Sequence, residues 1–340
     1  MPIANEVTNY QCPSCTGPLH FGSESGVLEC DYCGSRFSVE DIDRMYAEKN
    51  ADAQAASEER EAKQTVHEAA WDMESAGEQW GEDEDSLNVY NCPSCGAELV
   101  CDKTTAATSC PYCGNPSIIP GKLSGDKKPE LIIPFQVDKK AAIAALKQHY
   151  RNKPLLPKAF KSENHIQEIK GVYVPFWLFD AKVDADMRFD ATRTHSHTTS
   201  NEIITETDHF LVHRQGSLEF EKIPVDGASK MPDSHMDAIE PFDYSGMKPF
   251  SLSYLPGFLA DQYDVSKDEC IKRANNRCSN STEDALRGAV LGYDTCVTTS
   301  KDISITPKRV RYAMMPVWML STQWKGKNFL FAMNGQTGKL

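Results

Sequence analysis

Long apolar runs and phosphate-binding loops are both missing from this chain of 340 residues. No stretch approaches the eighteen or so apolar residues that span a bilayer, so no transmembrane helix is expected. Met1 to Tyr10 lack the basic start and apolar stretch of a secretory signal, and the reducing cytosol is the expected compartment. A phosphate loop needs glycines followed by Lys and then Ser or Thr. Gly121-Lys122-Leu123, Gly326-Lys327-Asn328 and Gly338-Lys339-Leu340 all lack the hydroxyl and the upstream glycine, which argues against a nucleotide hydrolase.

Positive charge is also short. Lys and Arg number 36 against 49 Asp and Glu, a net charge of -13. The excess acid sits in one place: Ser38 to Tyr90 carries 16 acidic and 4 basic residues, whereas the segment from Asn91 onward is nearly balanced. The Ala, Glu and Gln content around Glu48 to Ala56 predicts a solvated acidic helix over 38–90. Trp71 and Trp80 are expected to dock that helix on a neighbouring domain. Glu82-Asp83-Glu84-Asp85 reads as a solvated charge run.

Cysteine, by contrast, is abundant, at twelve residues. In a reducing compartment Cys-x-x-Cys spacing points to metal. Cys12-Pro13-Ser14-Cys15 is followed after fourteen residues by Cys30-Asp31-Tyr32-Cys33-Gly34, and the pattern returns 80 residues on as Cys92-Pro93-Ser94-Cys95 and Cys110-Pro111-Tyr112-Cys113-Gly114. Two residues between cysteines let a tight turn aim both sulfurs at one ion, and a second such knuckle completes a tetrahedral four-thiolate site. Glycine after the last cysteine suits the positive φ of that turn. A ribbon of about thirty residues cannot hold together by apolar burial alone, so two structural zinc ions are expected, each contributing on the order of 10 kcal/mol. Cys12, Cys15, Cys30 and Cys33 would hold one, and Cys92, Cys95, Cys110 and Cys113 the other. Four sulfurs leave no open position for catalysis. Leu19-His20-Phe21 and Leu99-Val100-Cys101 take matching places as short strands, which makes Cys101 an apolar core residue and His20 an exposed strand residue.

Past Pro129 the composition turns ordinary. Leu131 to Phe135 reads as a strand, Asp138 caps a helix through His149, and Ser266 with Glu269 forms a capping box before a second helix. Each helix precedes a strand with proline two residues before tryptophan, Val174-Pro175-Phe176-Trp177 and Met315-Pro316-Val317-Trp318, 141 residues apart. The expectation is a distant duplication, with Trp177 and Trp318 in equivalent core positions. Proline within a strand predicts a sheet edge or a bulge. Gln215-Gly216 predicts a hairpin turn between Phe210–His213 and Ser217–Glu221, and Asp226-Gly227 and Asn334-Gly335 mark further turns. Asp233 to Glu240 reads as a short helix ended by Pro241. The fold class expected is therefore α+β: zinc ribbon 1 (1–37), acidic helical linker (38–90), zinc ribbon 2 (91–120) and a mainly antiparallel core with two related halves (129–340).

Other candidate chemistry is thin. His195 and His197 share one strand face, and His209 and His213 follow, yet no third ligand stands at a recognised spacing, so they read as a polar strand and loop. Cys270, Cys278 and Cys296 read as ordinary buried thiols. No catalytic or cofactor-binding residue is assigned.

Taken together, the two Cys-Pro-Ser-Cys and Tyr-Cys-Gly knuckle sets, Phe220-Glu221-Lys222-Ile223-Pro224-Val225-Asp226-Gly227, Ile239-Glu240-Pro241-Phe242-Asp243-Tyr244, Met315-Pro316-Val317-Trp318 and Phe331 to Lys339 resemble bacterial double-zinc-ribbon proteins. These carry labels such as transcription-factor-IIB-type zinc ribbon or primosomal-helicase-like. The resemblance implies the eight knuckle cysteines as zinc ligands, no catalytic residue, and a setting near phage-shock or band-7 membrane-stress proteins. It also implies membrane contact that is indirect or lies beyond residue 340. The function expected is a non-enzymatic adaptor or scaffold for protein partners, in the cytoplasm or at the inner face of the cell membrane. The alternative is nucleic-acid binding, and charge opposes it. Residues 10–37 hold Arg36 against Glu24, Glu29 and Asp31, and residues 90–121 hold Lys103 against Glu98 and Asp102, whereas phosphate binding wants the opposite sign. Lys301, Lys308, Arg309, Arg311, Lys325, Lys327 and Lys339 against the single acid Asp302 give the basic end suited to a cytoplasmic membrane-facing segment.

Overall fold

The computed structural model describes residues 10–15, 17–22, 25–47, 64–105, 109–116, 119–121, 127–151, 153–198 and 202–340. Its content is mixed α and β, mostly sheet, in two compact units: Met1–Thr65 with Thr299–Lys301, and Val66–Thr298 with Asp302–Leu340.

The first unit contains a three-stranded sheet, β1 (Leu19–Phe21), β2 (Leu28–Cys30) and β3 (Arg36–Phe37), antiparallel in that order, followed by a helix, α1, over 39–47. Its small apolar interior is made by Leu28, Cys12, Cys30 and Ile42. The helix expected around Glu48 to Ala56 lies outside the described residues.

After β4 (Gln64–His67), the linker departs from the helical expectation. Residues 68–80 are irregular, and a short 3-10 helix follows over Gly81–Ser86. The local chemistry explains why. Asp72 Oδ1 accepts from the amides of Glu74 and Ser75, both at 3.1 Å, which closes a turn, and Gly77 and Gly81 take positive φ. Trp71 still packs, from an irregular segment. It is buried edge-on against Phe179, and its Nε1 donates to Asn275 Oδ1 at 2.9 Å. Trp80 meets Phe250 edge-on. The acidic run is not wholly solvated either, since Asp83 accepts from Lys128 at 2.7 Å.

The large sheet is built from β5 (Leu87–Asn91), β6 (Glu98–Asp102), β7 (Ile119–Gly121), β8 (Leu131–Ile132), β9 (Lys170–Thr198), β10 (Ile203–Asp226), β11 (Lys248–Pro249), β12 (Leu259–Asp261), β13 (Thr295–Trp324) and β14 (Lys327–Asn334). The order is β11-β8-β13-β9-β12-β6-β5-β7, with β10 paired to β9 and β14 to β13. The segment expected as a separate ribbon at 91–120 therefore shares its sheet with the core. Side chains on both faces of the central strands are buried, which is why Gly171 to Phe179 reads as an unbroken buried run. Tyr173, Trp177 and Phe179 enter one core, and Val172, Val174, Phe176 and Leu178 enter the other. Helices cover the sheet. α2 (Lys139–Arg151), capped by Asp138 on the Ala141 amide, packs Leu146 and Tyr150 with Trp318 and Leu320. Three short helices, α3 (Lys158–Lys161), α4 (Glu163–Ile166) and α5 (Asp233–Ile239), lie in the connections. α6 (Lys267–Gly288), capped by Ser266 on the Glu269 amide, lays Cys270, Ala274, Cys278 and Leu286 on the core that holds Ala181 to Ala191.

Two strand expectations need correction. Gln215-Gly216 is not a turn: β10 runs through it, with Gln215 opposite Asp186 and Gly216 opposite Ala185. The glycine instead faces Leu286 of α6, so its missing side chain serves helix packing. The proline-bearing strands are central, not at an edge. Pro175 is tolerated because partners change there: β12 pairs with β9 at Val172 and Tyr173, and β10 takes over from Phe176, so no ladder N–H is required between them. At Pro316 the same hand-over occurs between β8, paired at Ala313 and Met314, and β14, paired from Val317.

Those pairings run in parallel. Leu259 and Ala260 of β12 lie opposite Val172 and Tyr173, while Leu131 and Ile132 of β8 lie opposite Ala313 and Met314. The Pro175 and Pro316 carbonyls accept from Gly227 and Gly335, both at 2.8 Å. The Gly227 carbonyl accepts from Asp264 and Val265, and the Gly335 carbonyl from Gln136 and Val137.

Candidate metal centres

Each Cys-x-x-Cys knuckle closes on itself by backbone hydrogen bonds. The amide of Gly34 donates to the Cys30 carbonyl at 2.9 Å, that of Gly96 to Cys92 at 2.9 Å, and that of Gly114 to Cys110 at 3.0 Å. All three glycines sit at a φ of 73°, a conformation a Cβ would strain. A second bond returns each loop: Cys12 donates to Gly17, Cys30 to Ser35, Cys92 to Ala97 and Cys110 to Asn115. The chain is thereby folded so that the sulfurs converge.

They converge in two groups, Cys12, Cys15, Cys30 and Cys33, and Cys92, Cys95, Cys110 and Cys113, with all four Sγ atoms of each within 4.8 Å of one another. Cys12 to Cys33 is 3.6 Å, Cys15 to Cys30 is 3.4 Å, and Cys92 to Cys113 and Cys95 to Cys110 are both 3.6 Å. A tetrahedron of thiolates about 2.3 Å from an ion has edges of about 3.8 Å, so both groups fit a metal with little adjustment. A disulfide would need about 2.05 Å. Each group can hold one ion.

Crowding splits the thiols. The Ser35 hydroxyl and amide draw Cys33 down to about 6. Against the pull of the Gly17 amide, the thiols of Cys30 and Cys33 push Cys15 up to about 12. In the second group burial opposes ionisation of Cys92, but the amides of Cys95 and Ser94 carry it down to about 7, while burial pushes Cys95 up to about 11 and Cys110 further up. A cation would remove that conflict by favouring the thiolate at all four positions.

The second group is tied into the core by side chains that sequence reasoning did not single out. Tyr112, between two of its ligands, is buried and donates its hydroxyl to Asp261 of β12. Burial pushes the Asp261 carboxyl up to about 7. Asn328 Nδ2 donates to the Tyr112 carbonyl at 2.7 Å, and Lys170 Nζ to the Ser109 carbonyl at 2.6 Å. Tyr112 was visible only as a knuckle aromatic; nothing local pairs it with a residue 149 positions away.

The other candidates fall outside both groups. Cys101 is buried and donates to the Thr105 carbonyl, His20 lies 3.4 Å from Asp31, and Cys270 and Cys278 are buried with thiols pushed up by burial. On the β9–β10 hairpin His195 faces Glu206 and His197 faces Ile204, while His209 faces Thr192 and His213 bonds Asp186 at 2.8 Å. They form no metal-binding group among the described residues. Part of the basic end is paired, Lys308 with Glu219, Arg309 with Glu130 and Arg311 with Asp180. No helix among the described residues is long and apolar enough to cross a membrane.

No known family model matches this chain, and no solved structure does. Over 334 residues the chain is 32% identical to the "Uncharacterized protein YdjG" of Bacillus subtilis (strain 168), covering 98% of this chain and 89% of YdjG. A likeness of that strength, running through ribbons and core alike, makes the chain a member of the YdjG family.

Proposed function

We propose that this protein is a non-enzymatic zinc-ribbon adaptor whose core and ribbons form a scaffold for protein partners. The observation that carries the reading is the closure of both four-cysteine groups. An all-thiolate tetrahedron suits zinc and keeps no position for substrate or water, so the ion's work is structural. The core is read as two copies of one strand, helix and hairpin unit, supported by the matched registers of β8 on β13 and β12 on β9. A membrane-associated setting follows from the resemblance to double-zinc-ribbon proteins more than from charge, because at least three of the seven basic residues from Lys301 to Lys339 are paired with acids.

Capture of partners on the metal-loaded full chain in its native host, alongside metal analysis, tests the reading. The expected result is two zinc equivalents and recurrent protein partners that require the ribbons. Iron in place of zinc, partners indifferent to the ribbons, tight DNA or RNA binding, or nucleotide hydrolysis abolished by a substitution in this chain would each overturn it.

A further inference from the structure

β10 borders the sheet with one side open. β9 exchanges β12 for β10 at Phe176, and among the described residues no strand pairs with the outer side of β10 between Ile203 and Phe220. An unpaired side of that length presents a row of backbone donors and acceptors, and folded chains blunt it with lysine, proline or a bulge. In β10 those devices come late: the register shifts between Phe220 and Ile223, Lys222 takes a φ of 58°, and Pro224 has no N–H to donate. Ile203 to Phe220 contains neither lysine nor proline. It does contain exposed apolar side chains, Ile203 at 73%, Ile204 at 39% and Leu211 at 72%.

The two faces of this stretch differ. Val212 is buried and Gly216 meets Leu286 of α6, whereas Leu211, His213, Gln215 and Ser217 are exposed. A two-fold axis perpendicular to the sheet keeps the covered faces of two copies on one side, so each residue must pair with one of the same parity. With the axis at Leu211, that residue meets its own copy, Phe210 meets Val212, Ile204 meets Leu218 and Asp208 meets Arg214. Thr205, Glu206 and Thr207 then face Ser217, Gly216 and Gln215, so no two acids are opposed. Moving the axis to Phe210 sets Asp208 against Val212, and moving it to Val212 sets Glu206 against Leu218. The charged pair is available. Asp208 lies opposite Arg193 in its own hairpin, but that guanidinium donates to the Gly292 carbonyl at 2.7 Å, and among the described residues Arg214 bonds only the carbonyls of His213 and Ala289.

We propose that two copies of this chain form a symmetric dimer by antiparallel pairing of β10 with β10 about an axis at Leu211, so that one sheet runs across the interface. Backbone hydrogen bonds supply the affinity, and the matched side chains set the register. The dimer stands on the open edge itself and does not depend on the adaptor role.

The test is sedimentation of the metal-loaded full chain. The expected mass at about 10 μM is twice the 37.9 kDa of one chain, with a dissociation constant of about 1 μM or tighter. Leu211→Lys, at an exposed site, places like charges face to face on the axis and should weaken association by at least about a hundredfold while leaving metal content unchanged. Asp208→Lys and Arg214→Glu should each weaken it by at least about tenfold alone, and an equimolar mixture of the two should recover it, because opposite charges then meet at both ends of the pairing. A chain that stays monomeric at about 100 μM, dimerisation undiminished by Leu211→Lys, or a mixture no tighter than the separate variants overturns the proposal, the first of these leaving the edge to a strand from another protein.

Discussion

Removing one ligand from each metal group should have very unequal consequences. Cys15→Ser damages a ribbon in the smaller compact unit, whereas Cys95→Ser damages β5 and β6, which are hydrogen-bonded into the large sheet through β12. The side chains that depend on the second site include Val89, Leu99, Val100, Cys101 and Tyr112, each under a tenth exposed. At about 1.5–3 kcal/mol for each large side chain returned to water, their loss amounts to about 10 kcal/mol. That is comparable to the roughly 5–15 kcal/mol that holds a domain folded. Even if three remaining thiolates preserve half of it, about 5 kcal/mol at roughly 2–4 °C per kcal/mol lowers the main melting transition by roughly 10–20 °C. Cys15→Ser should leave that transition within about 2 °C of the parent. Calorimetric melting with metal analysis on both variants is the assay, and each variant should retain one equivalent. Equal shifts, or a Cys95→Ser protein that melts like the parent, would refute the claim that the second ion holds part of the core sheet.

Trp71→Ala should cost about 3–5 kcal/mol in denaturant unfolding, because it empties a buried site and strips Asn275 of its donor; a cost under about 1 kcal/mol would mean that the 66–80 segment is not part of the core. Asp261, held at about 7 against an ordinary value of about 3.9, binds a proton more readily in the folded state, so its contribution to stability is full below about pH 4 and is lost as pH rises through 7. Relative to Asp261→Asn, the parent should therefore lose up to about 4 kcal/mol between pH 4 and 7, and parallel stability profiles for the two would contradict that burial effect. Fractionation of native cells, with the purified chain offered liposomes of anionic and neutral lipid, should place the protein with membranes through a partner; a wholly free native pool with no membrane protein captured would end that part of the proposal.

What the sequence made legible is what local chemistry determines. A knuckle is closed within six residues, so Cys92 to Ala97 shows its metal geometry without reference to the rest of the fold. The caps at Asp138 and Ser266 are equally local, and both helices begin where expected. Failures came where a distant partner decides. Gln215-Gly216 has turn composition, yet Asp186 and Ala185 hold it in a ladder and Leu286 packs over the glycine. The period-two series Ala181, Val183, Ala185, Met187, Phe189 and Ala191 was the available signal that β9 runs far beyond Phe179, and it implies an equally long partner. Pro175 suggested an edge because the rule concerns a continuous neighbour, and here the neighbour changes from β12 to β10 at that residue. The 68–80 part of the linker departs from the helical expectation for a different reason. Its charge and alanine content favour a solvated helix, but Trp71 gains more by burial against Phe179 than the segment gains from helix propensity of a few tenths of a kcal/mol per residue.

The pairing of β12 with β9 also gives the second ribbon a physical role. β12 is only three residues long and pairs on one side with β9, so without a neighbour its other side would be an open edge in the middle of the fold. β6 fills that edge through Ala260 opposite Val100 and Asp261 opposite Leu99, and β5 and β7 extend the sheet beyond it. At the other end of the strand order β8 is flanked by β11, a pair of residues that includes Pro249, which needs no donor. One edge is thus finished by a proline-containing stub and the other by strands joined to a four-cysteine knuckle pair. A sheet edge finished by a ribbon depends on whatever holds the ribbon closed. Loss of an ion from the second group would expose β12 and its apolar neighbours together, so metal supply and core integrity are coupled at one end of the sheet and not at the other.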